Sequence, residues 1–566
     1  MGLNSVLHMG AQAIQVFSAG IHVAGQNVSN ANNPDYIREK LELSTGSAYR
    51  IGNLIYGTGA TADGIKQQIN LYLESRLHHA ASDFSEADAR SGILKSLELR
   101  INELGDSDLS TALNQFAGAI ENATNQPEST TMRQAVIEQG NRLANHVGSL
   151  RTQVNDLRVT QNVRIDQLVN EANRLIDTVA DLNPKIVQLE ASGLLQSDAG
   201  TLRSQRYAAL NRLAEIVPIQ IRERGNGEFD VSISGHPLIV GGTSQHLESA
   251  READRGVQVS MVHLADSHFD ISGMGGEIGG IISARDTDIG GFVDDLDAYA
   301  SSLIYEFNKI HASGEGLSGF ESVTSEWRVD DSTTALNAAA TGLGFTPEHG
   351  SFELKVTNTL TGITETTMVD IDLDGIGTDT TLDSLNAALN AIDNVSSAIT
   401  TTNRLQIASE SGYEFRFSND TSGALAALGI NTFFSGRDST DIGLNDTVVS
   451  DHSMLALGQG GGPSDNRNAA IMSQFHDQQL NTLNNESLVS FYETVVANVA
   501  QSTASETTIA EGLDGYKQSL LSQRQQFSGV SLDEEAVQLL EFQHAFQAAA
   551  RLISTADELF TILLNI

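Results

Sequence analysis

Both ends of the chain carry a narrow stripe of apolar residues at helical heptad spacing, and this feature limits the possible folds more than any other. At the N-terminus, steps of four and three residues connect Leu3, Leu7, Gly10, Ile14, Phe17, Ile21, Ala24 and Val28. At the C-terminus, the same alternation connects Leu539, Phe542, Phe546, Ala549, Ile553, Ala556, Phe560 and Leu563. A single stripe cannot be buried by its own helix, so each terminal helix needs a partner. We therefore expect the two ends to pair as an N/C α-helical coiled coil.

The middle of the chain changes pattern twice, which predicts a multidomain α+β protein. Residues 79–312 are expected to form a long-helix core domain with a small β element, because helical periodicity gives way to alternation around residues 225–227. Residues 313–455 are rich in Thr, Gly, Asp and Asn, and their short alternating stretches favour an inserted β-rich outer domain. The remaining segments are an N-terminal helix and motif region (1–78), a helical return to the core domain (456–525) and a C-terminal helix (526–566).

The chain is strongly acidic, and its charge is unevenly distributed. A total of 72 Asp and Glu against 33 Lys and Arg gives a formal net charge of −39, which argues against binding to nucleic acid or an anionic membrane. Residues 1–78 carry five acids and five bases, whereas residues 313–455 carry 21 acids and five bases. Any interpretation of the chain has to explain this contrast in charge.

Three motifs resemble ligand sites, and each has a simpler structural interpretation. DIDLDG (370–375) begins like a calcium loop, but Thr381 stands where the bidentate Glu is needed, so we interpret it as a polar turn after a strand. The glycine-rich run at 273–280 lacks the Lys-Ser/Thr of a phosphate loop and is expected to be a turn between a strand and a helix. Adjacent histidines such as His78 and His79 point about 100° apart on a helix and rarely share a metal.

No hydrolase pattern of the HExxH, GxSxG or SxxK type occurs in the sequence, and cysteine is absent. We therefore predict no enzyme activity, no catalytic residue, no cofactor and no metal.

The segment that ends the first helix resembles the N-terminal motif of bacterial flagellar axial proteins. It reads NVSNANNPDYIR (27–38), close to the family form N-V-A/S-N-A-N-T-P-G-Y-S/T-R. It departs from that form at Asn33, Asp35 and Ile37. The positions that match, and that would direct the chain out of the first helix, are Asn27, Asn30, Pro34, Tyr36 and Arg38.

The C-terminal residues 528–566 are similar to those of the hook-associated members of this family, which join hook and filament. The stretches SDNRNAAIM (464–472), GGEIGGIISARD (275–286) and LAALGINTFF (425–434) are further points of similarity. The resemblance covers most of the chain and is weakest over 313–420.

This resemblance implies a structural protein of the extracellular flagellum at the hook–filament junction. It implies export through the flagellar type III apparatus without a cleaved signal peptide. The implied partners are other copies of the chain in a ring, the hook protein, the second junction protein and an export chaperone at the C-terminal helix. The residues expected at the assembly interface are Leu3, Leu7, Ile14, Phe17, Ile21, Val28, Leu539, Phe542, Phe546, Ile553, Phe560 and Leu563.

Two alternatives remain open on the sequence alone. One is a hook or distal rod protein of the same family, and for a hook protein residues 80–300 would be mostly β-structure instead of mostly helix. The other is an axial frame whose inserted domain is an adhesin or an enzyme.

Overall fold

The computed structural model describes residues 2–102, 108–191 and 197–564. Its α-helices are α1 (Gly2–Ser29), α2 (Leu71–Asn102), α3 (Leu109–Thr124), α4 (Thr130–Ala191), α5 (Gly200–Ile216), α6 (Gly276–Ser283), α7 (Ile289–Ala312), α8 (Leu382–Asn390), α9 (Ala424–Leu428), α10 (Asp446–Ser450), α11 (Arg467–Ser473), α12 (Leu488–Ser528) and α13 (Leu532–Leu564). A π-helical turn, Ala284–Asp288, connects α6 to α7.

The strands pair antiparallel in small separate sheets. They are β1 (Glu39–Thr45), β2 (Tyr49–Ile51), β3 (Leu54–Tyr56), β4 (Ala60–Gln67), β5 (Gln220–Glu223), β6 (Phe229–Ile233), β7 (His236–Val240), β8 (Thr243–Ser244), β9 (Leu247–Asp254), β10 (Val257–Leu264), β11 (Ser322–Thr324), β12 (Gly350–Asn358), β13 (Thr364–Ile371), β14 (Val395–Ile399), β15 (Leu405–Ser409), β16 (Tyr413–Ser418), β17 (Phe434–Ser435) and β18 (Gly443–Leu444).

The chain divides into two compact units, each assembled from separated segments. The terminal unit comprises Met1–Ile93, Val159–Arg285 and Ala504–Ile566, and the central unit comprises Leu94–Arg158 and Asp286–Thr503. The divisions fall inside α2, α4 and α12, so these long helices contribute residues to both units. The five segments proposed from composition have other boundaries, and their division into domains stays a prediction.

In the terminal unit, α1 packs against α13 and against the hairpin of β1 and β4. A four-stranded sheet of order β5-β6-β7-β8 forms a second part of this unit. On β6, Phe229, Val231 and Ile233 are buried while the residues between them are partly exposed, as period-2 alternation requires. The fully buried Arg206 lies 3.6 Å from the centre of the Phe229 ring and donates hydrogen bonds to Asn183 Oδ1 and the Gly227 carbonyl. These bonds satisfy Nη1 of the guanidinium, whereas its Nε and Nη2 are buried without a hydrogen-bond partner among the described residues.

In the central unit, a cluster of phenylalanines joins residues that are distant in sequence. Phe307 on α7 lies with its ring centre 5.2 Å from that of Phe116 on α3, and 5.3 Å from those of Phe433 and Phe434. Phe475 follows at 5.5 Å. Edge and tilted contacts at this spacing are the favourable geometry for aromatic pairs. The few aromatic residues of the chain are thus concentrated where its early and late segments meet.

The β-rich part of the central unit has a hydrophobic core of its own. Its central strand β12 lies between β13 and β16 and buries Phe352, Leu354 and Val356 at alternate positions. Helix α8 packs against the same core through Leu382, Leu385 and Leu389.

Several expectations from the sequence are confirmed, and some are wrong. The hairpin around residues 225–227 forms as β5 and β6, and the short alternating stretches of the insert lie in β12, β13, β15 and β16. The strands β1–β4, β7–β9, β11, β14, β17 and β18 are not predicted, because their segments are either short or largely polar and carry little periodic signal.

The glycine-rich run is not a simple turn, since Gly276–Ser283 form α6. Glycine is needed there for contact: a Cβ on Gly280 would lie 2.2 Å from the Glu86 carbonyl oxygen on α2. Pro184 allows either a kink or a fresh helix start, and the second is excluded because α4 continues through Pro184 to Ala191. The preceding residue Asn183 is fully buried and donates to the carbonyls of Phe229 and Gly241, so tertiary contacts hold this segment against the helix-breaking tendency of proline.

Truncation of the aromatic cluster should weaken the central unit. We expect Phe307→Ala to lower the free energy of unfolding by about 4 kcal/mol, because the side chain is buried and a cavity remains. The control is Leu360→Ala, since Leu360 is 91 % exposed in the same unit. Urea unfolding followed by circular dichroism measures both, and equal stabilities of the two variants would contradict the role of the cluster.

A buried histidine should make the terminal unit sensitive to acid. Burial lowers the pKa of His78, on α2, from its usual 6.5 to about 4, although its hydrogen bond to Asn211 opposes this change. Below pH 6.5 the unfolded chain therefore binds a proton that the folded chain does not, and stability falls as the pH drops towards 4. Between about pH 7 and pH 5, we expect the free energy of unfolding of His78→Gln to fall by about 2 kcal/mol less than that of the wild type. The exposed His544→Gln is the control, and an unchanged pH profile in the His78 variant would contradict the assignment.

Candidate assembly site

The two terminal helices lie antiparallel in close contact. Gly10 of α1 faces Ile553 of α13, and Gly20 faces Phe542. Residue numbers therefore increase along α1 while those of the facing residues decrease along α13, which defines an antiparallel pair. A Cβ on Gly10 would lie 2.6 Å from Ile553 Cγ1, and one on Gly20 would lie 2.8 Å from the Phe542 ring. Glycine at these two positions therefore allows the helix axes to approach. The pairing of the two ends is observed, and its regular coiled-coil geometry stays a prediction.

On α1 the buried line is displaced from the predicted stripe. The buried positions are Gly10, Val16, Gly20, Val23, Ala24 and Asn27, of which only Gly10 and Ala24 are in that stripe. The predicted residues flank this line: Leu7, Ile14, Phe17 and Ile21 are partly buried, and Val28 is 40 % exposed. The side chain of Leu3 lies outside the described residues. The displacement arises because α1 contacts β1 and β4 as well as α13.

On α13 the predicted stripe coincides with the covered side of the helix. Ala549 and Ala556 are buried, and Leu539, Phe542, Phe546, Ile553 and Phe560 are partly buried. Phe542 also lies with its ring centre 6.5 Å from that of Phe17 on α1. Leu563, the last position of the stripe, is 60 % exposed.

A second set of apolar side chains on α13 faces solvent. We call it the open face of α13, and it consists of Val537, Leu540, Leu559 and Ile562, each about half exposed. At about 100° per residue, these positions point away from the line through Phe542, Ala549 and Ile553 that contacts α1. One helix therefore has an apolar side that is covered within the chain and another that is not.

Asn27 lies at the centre of a polar cluster that joins the motif to α13. Its amide group donates to the Glu39 carbonyl at 2.8 Å and to Glu535 Oε2 at 3.0 Å. Its carbonyl oxygen accepts from the Tyr36 hydroxyl at 2.9 Å and from the Glu39 amide at 3.0 Å. All four hydrogen-bonding positions of the Asn side chain are thus used, and a substitution would leave buried partners unpaired.

Arg38 adds two ion pairs to this cluster. Its Nε lies 2.7 Å from Glu535 Oε1, and its Nη1 lies 2.8 Å from Glu534 Oε2. The Glu535 side chain is fully buried, whereas that of Glu534 is 62 % exposed. The Arg38 amide also donates to the Ser528 carbonyl at the end of α12, at 3.0 Å. We call Asn27, Tyr36, Arg38, Glu39 and Glu535 the anchor cluster.

Burial shapes the protonation states of the anchor cluster. Desolvation raises the pKa of the Tyr36 hydroxyl far above its usual range, with Glu39 and Glu535 as further causes, so it stays a proton donor. Desolvation, and then the charge of Asp198, raises the pKa of Glu39. The site tolerates Glu39 because residue 200 is glycine: a Cβ there would lie within bonding distance of Glu39 Oε1.

The remaining motif residues shape the turn after α1. Asn30 donates to the Gln26 carbonyl at 2.9 Å, and Pro34 is exposed. Pro34 and Tyr36 line a shallow cavity with Arg524 of α12, whose Nε lies 2.9 Å from Glu74 Oε1.

Sequence reasoning missed Glu39, Glu534 and Glu535 as site residues. The available signal is the acidic run 533–535 at the start of the last helix, whose spacing from Ser531 also fits a helix cap. Among the described residues, the group with metal-ligand spacing lies elsewhere, in the central unit.

Comparisons with known proteins agree with this organisation. Residues 94–323 match the family model described as the flagellar hook-associated protein FlgK helical domain, and residues 521–566 match that of the flagellar basal body rod FlgEFG protein C-terminal region. Flagellar hook-associated protein 1 of Escherichia coli K12 is 21 % identical over 573 residues, and that of Salmonella typhimurium is 22 % identical over 599, with both chains covered in full in each case. The solved structure of the flagellar hook junction protein FlgK from Burkholderia pseudomallei aligns with a TM-score of 0.50 at 16 % identity, over 80 % of this chain and 99 % of that one.

The paired terminal helices, the motif at 27–38 and these matches define the class: the chain is a flagellar axial component. Its helical domain and its full-length relatives place it more narrowly. Over its whole length it is similar to flagellar hook-associated protein 1 (FlgK). None of the described helices combines the length and the apolar character needed to cross a membrane.

Removal of the buried carboxylate of Glu535 should weaken the contact between α1 and α13. We expect Glu535→Leu to destabilise the pairing of α1 and α13 by about 3 kcal/mol, because Arg38 and Asn27 lose a buried partner. The matched control is Glu534→Leu, which removes the exposed partner of the same arginine and should cost at most about 1 kcal/mol. Hydrogen exchange of the α1 and α13 amides measures the effect, and equal protection in both variants would show that the buried pair is unimportant.

Proposed function

We propose that this protein joins the hook of the bacterial flagellum to its filament as a ring of self-assembling subunits. The observation that carries the proposal is the open face of α13, an apolar surface on a helix whose opposite side is already covered by α1. Its four apolar residues lie near the two ends of the helix, Val537 and Leu540 at the start and Leu559 and Ile562 at the end, and exposed apolar groups of this kind mark a contact surface. The terminal helices of a second copy would bury the open face of α13.

The charge of the terminal segments supports contact between copies. Residues 1–78 have no net charge, and residues 520–566 carry six acids and two bases. Equivalent charges on neighbouring copies repel each other most in a poorly hydrated layer, so near-neutral ends favour close packing. The acidic residues 313–455 would then lie on the outside of the ring, where salt screens them.

The same apolar faces require protection before assembly. We propose that an export chaperone holds the C-terminal helix, and that the chain passes unfolded through the flagellar type III apparatus without a cleaved signal peptide. It then acts outside the cell, in contact with the hook protein and the second junction protein. Its role is mechanical, without catalysis.

The helical domain favours the junction over the hook and rod alternatives. The matched region, residues 94–323, contains all of α3 to α7 together with the shorter strands β5 to β10, whereas the alternative of a hook protein requires a region there that is mostly β-structure.

Charges on the open face should prevent assembly without unfolding the protein. We expect cells that produce only Leu540→Lys/Leu559→Lys to lose motility and attached filaments, because two lysines cannot be buried in an apolar contact. Leu540→Met/Leu559→Met, which keeps the face apolar, is the control and should retain both. Swimming assays and electron microscopy give the result, with circular dichroism as the check on folding. Normal filaments on the double-lysine strain would refute the proposed interface.

A further inference from the structure

A histidine and two aspartates meet at one end of the β12–β13 hairpin in the central unit. His349 immediately precedes β12, and Asp372 immediately follows β13. The last pair in the register is Gly350 with Ile371, so its continuation sets His349 opposite Asp372. Their facing atoms, His349 Nδ1 and Asp372 Oδ1, lie 3.2 Å apart.

Asp374 completes the group from the loop that follows. The residue between the two aspartates, Leu373, is 7 % exposed and belongs to the hydrophobic core, which holds the loop in place. The Asp372 amide is fixed as well, since it donates to Thr380 Oγ1 at 2.8 Å. One potential ligand atom from each of His349, Asp372 and Asp374 lies within 4.8 Å of the other two.

One polar atom of this group has no hydrogen-bond partner among the described residues. It is Asp372 Oδ1, a buried atom that faces His349 Nδ1 at 3.2 Å. The Leu373 amide donates to the same nitrogen at 3.3 Å, so Nδ1 is an acceptor in that contact. Two acceptors at this distance are satisfied by a proton on Nδ1 or by a cation that both atoms ligate.

We propose that His349, Asp372 and Asp374 bind a divalent transition-metal cation, Zn²⁺, with water in the remaining positions. Imidazole nitrogen and carboxylate oxygen are both common zinc ligands at about 2.0–2.2 Å, which places tetrahedral ligands about 3.4 Å apart. The partly exposed aspartates need only a side-chain rotation to reach that spacing.

Calcium fits this group less well than zinc. Ca²⁺ takes six to eight oxygen ligands, and an imidazole nitrogen is not among its preferred donors. Thr381, at the position of the bidentate Glu in a calcium loop, instead caps α8 by accepting a hydrogen bond from the Ser384 amide at 3.1 Å. The DIDLDG motif resembles the start of a calcium loop. The histidine, which is distant from that motif in sequence, makes zinc the better match for this group.

Bound Zn²⁺ would connect the start of β12 to the loop after β13. A ligand that binds only the folded state stabilises it in proportion to the logarithm of its concentration. The site would thus stabilise the end of the hairpin in the β-rich part of the chain, independently of any contact made by the terminal helices.

Zinc titration of the full-length protein tests this proposal. Isothermal calorimetry with ZnCl2 is applied to the wild type, to His349→Gln and to Asp372→Asn/Asp374→Asn. The control is His246→Gln, because His246 is similarly exposed but pairs with one carboxylate, that of Asp177, at 2.7 Å. Far-UV circular dichroism checks that each variant is folded, and a parallel thermal scan records the melting temperature with and without the metal.

We expect the wild type and the His246 variant to bind Zn²⁺ with equal affinity and to melt at a higher temperature with it. The other two variants should bind about tenfold more weakly or not at all, and should lose the thermal shift. Equal binding by all four proteins would overturn the proposal. It would also be overturned if Ca²⁺ bound as tightly as Zn²⁺ and His349→Gln changed neither affinity. In that case the carboxylates alone would bind the cation, without the histidine.

Discussion

The terminal unit depends on one interaction, the buried contact of Glu535 with Arg38 and Asn27. A fully buried carboxylate is tolerable only when its charge is paired and its oxygens accept hydrogen bonds, and here both oxygens do so. The partners come from opposite ends of the chain, so neither end satisfies its polar groups alone. The same contact sets the start of α13 against the end of α1. It thereby determines which residues of the two helices meet further along.

The packing of these helices leaves the unit with two different apolar surfaces. Close approach at Gly10 and Gly20 covers one side of α13, while the open face stays in solvent. This exposed face is the surface that the proposed contact between copies would cover. The central unit contrasts with this, because its phenylalanine cluster and its β-rich core are closed within the chain.

Periodicity predicted the helices well and the polar sites poorly. The stripes at both ends, the long helices after residue 80 and the strands of the insert all follow from regular spacing of apolar residues. The α1 stripe was displaced in the structure because a helix that contacts both a sheet and another helix buries more than one line of residues. Short polar strands such as β1 and β4 have no periodic signal, and they form because α1 covers them. Glu39 and Glu535 could not be assigned, since their partners lie far away in sequence or on the backbone.

The sequence by itself determined that both ends are apolar helices needing partners, that the insert is β-rich, and that the chain resembles axial proteins. These properties depend on local spacing and composition, which any stretch of chain carries with it. Only the tertiary structure decided that Glu535 pairs with Arg38, that one face of α13 stays open, and that His349 meets Asp372 and Asp374. Each of these is a contact between residues that are distant in sequence, and it exists only after the chain has folded around them.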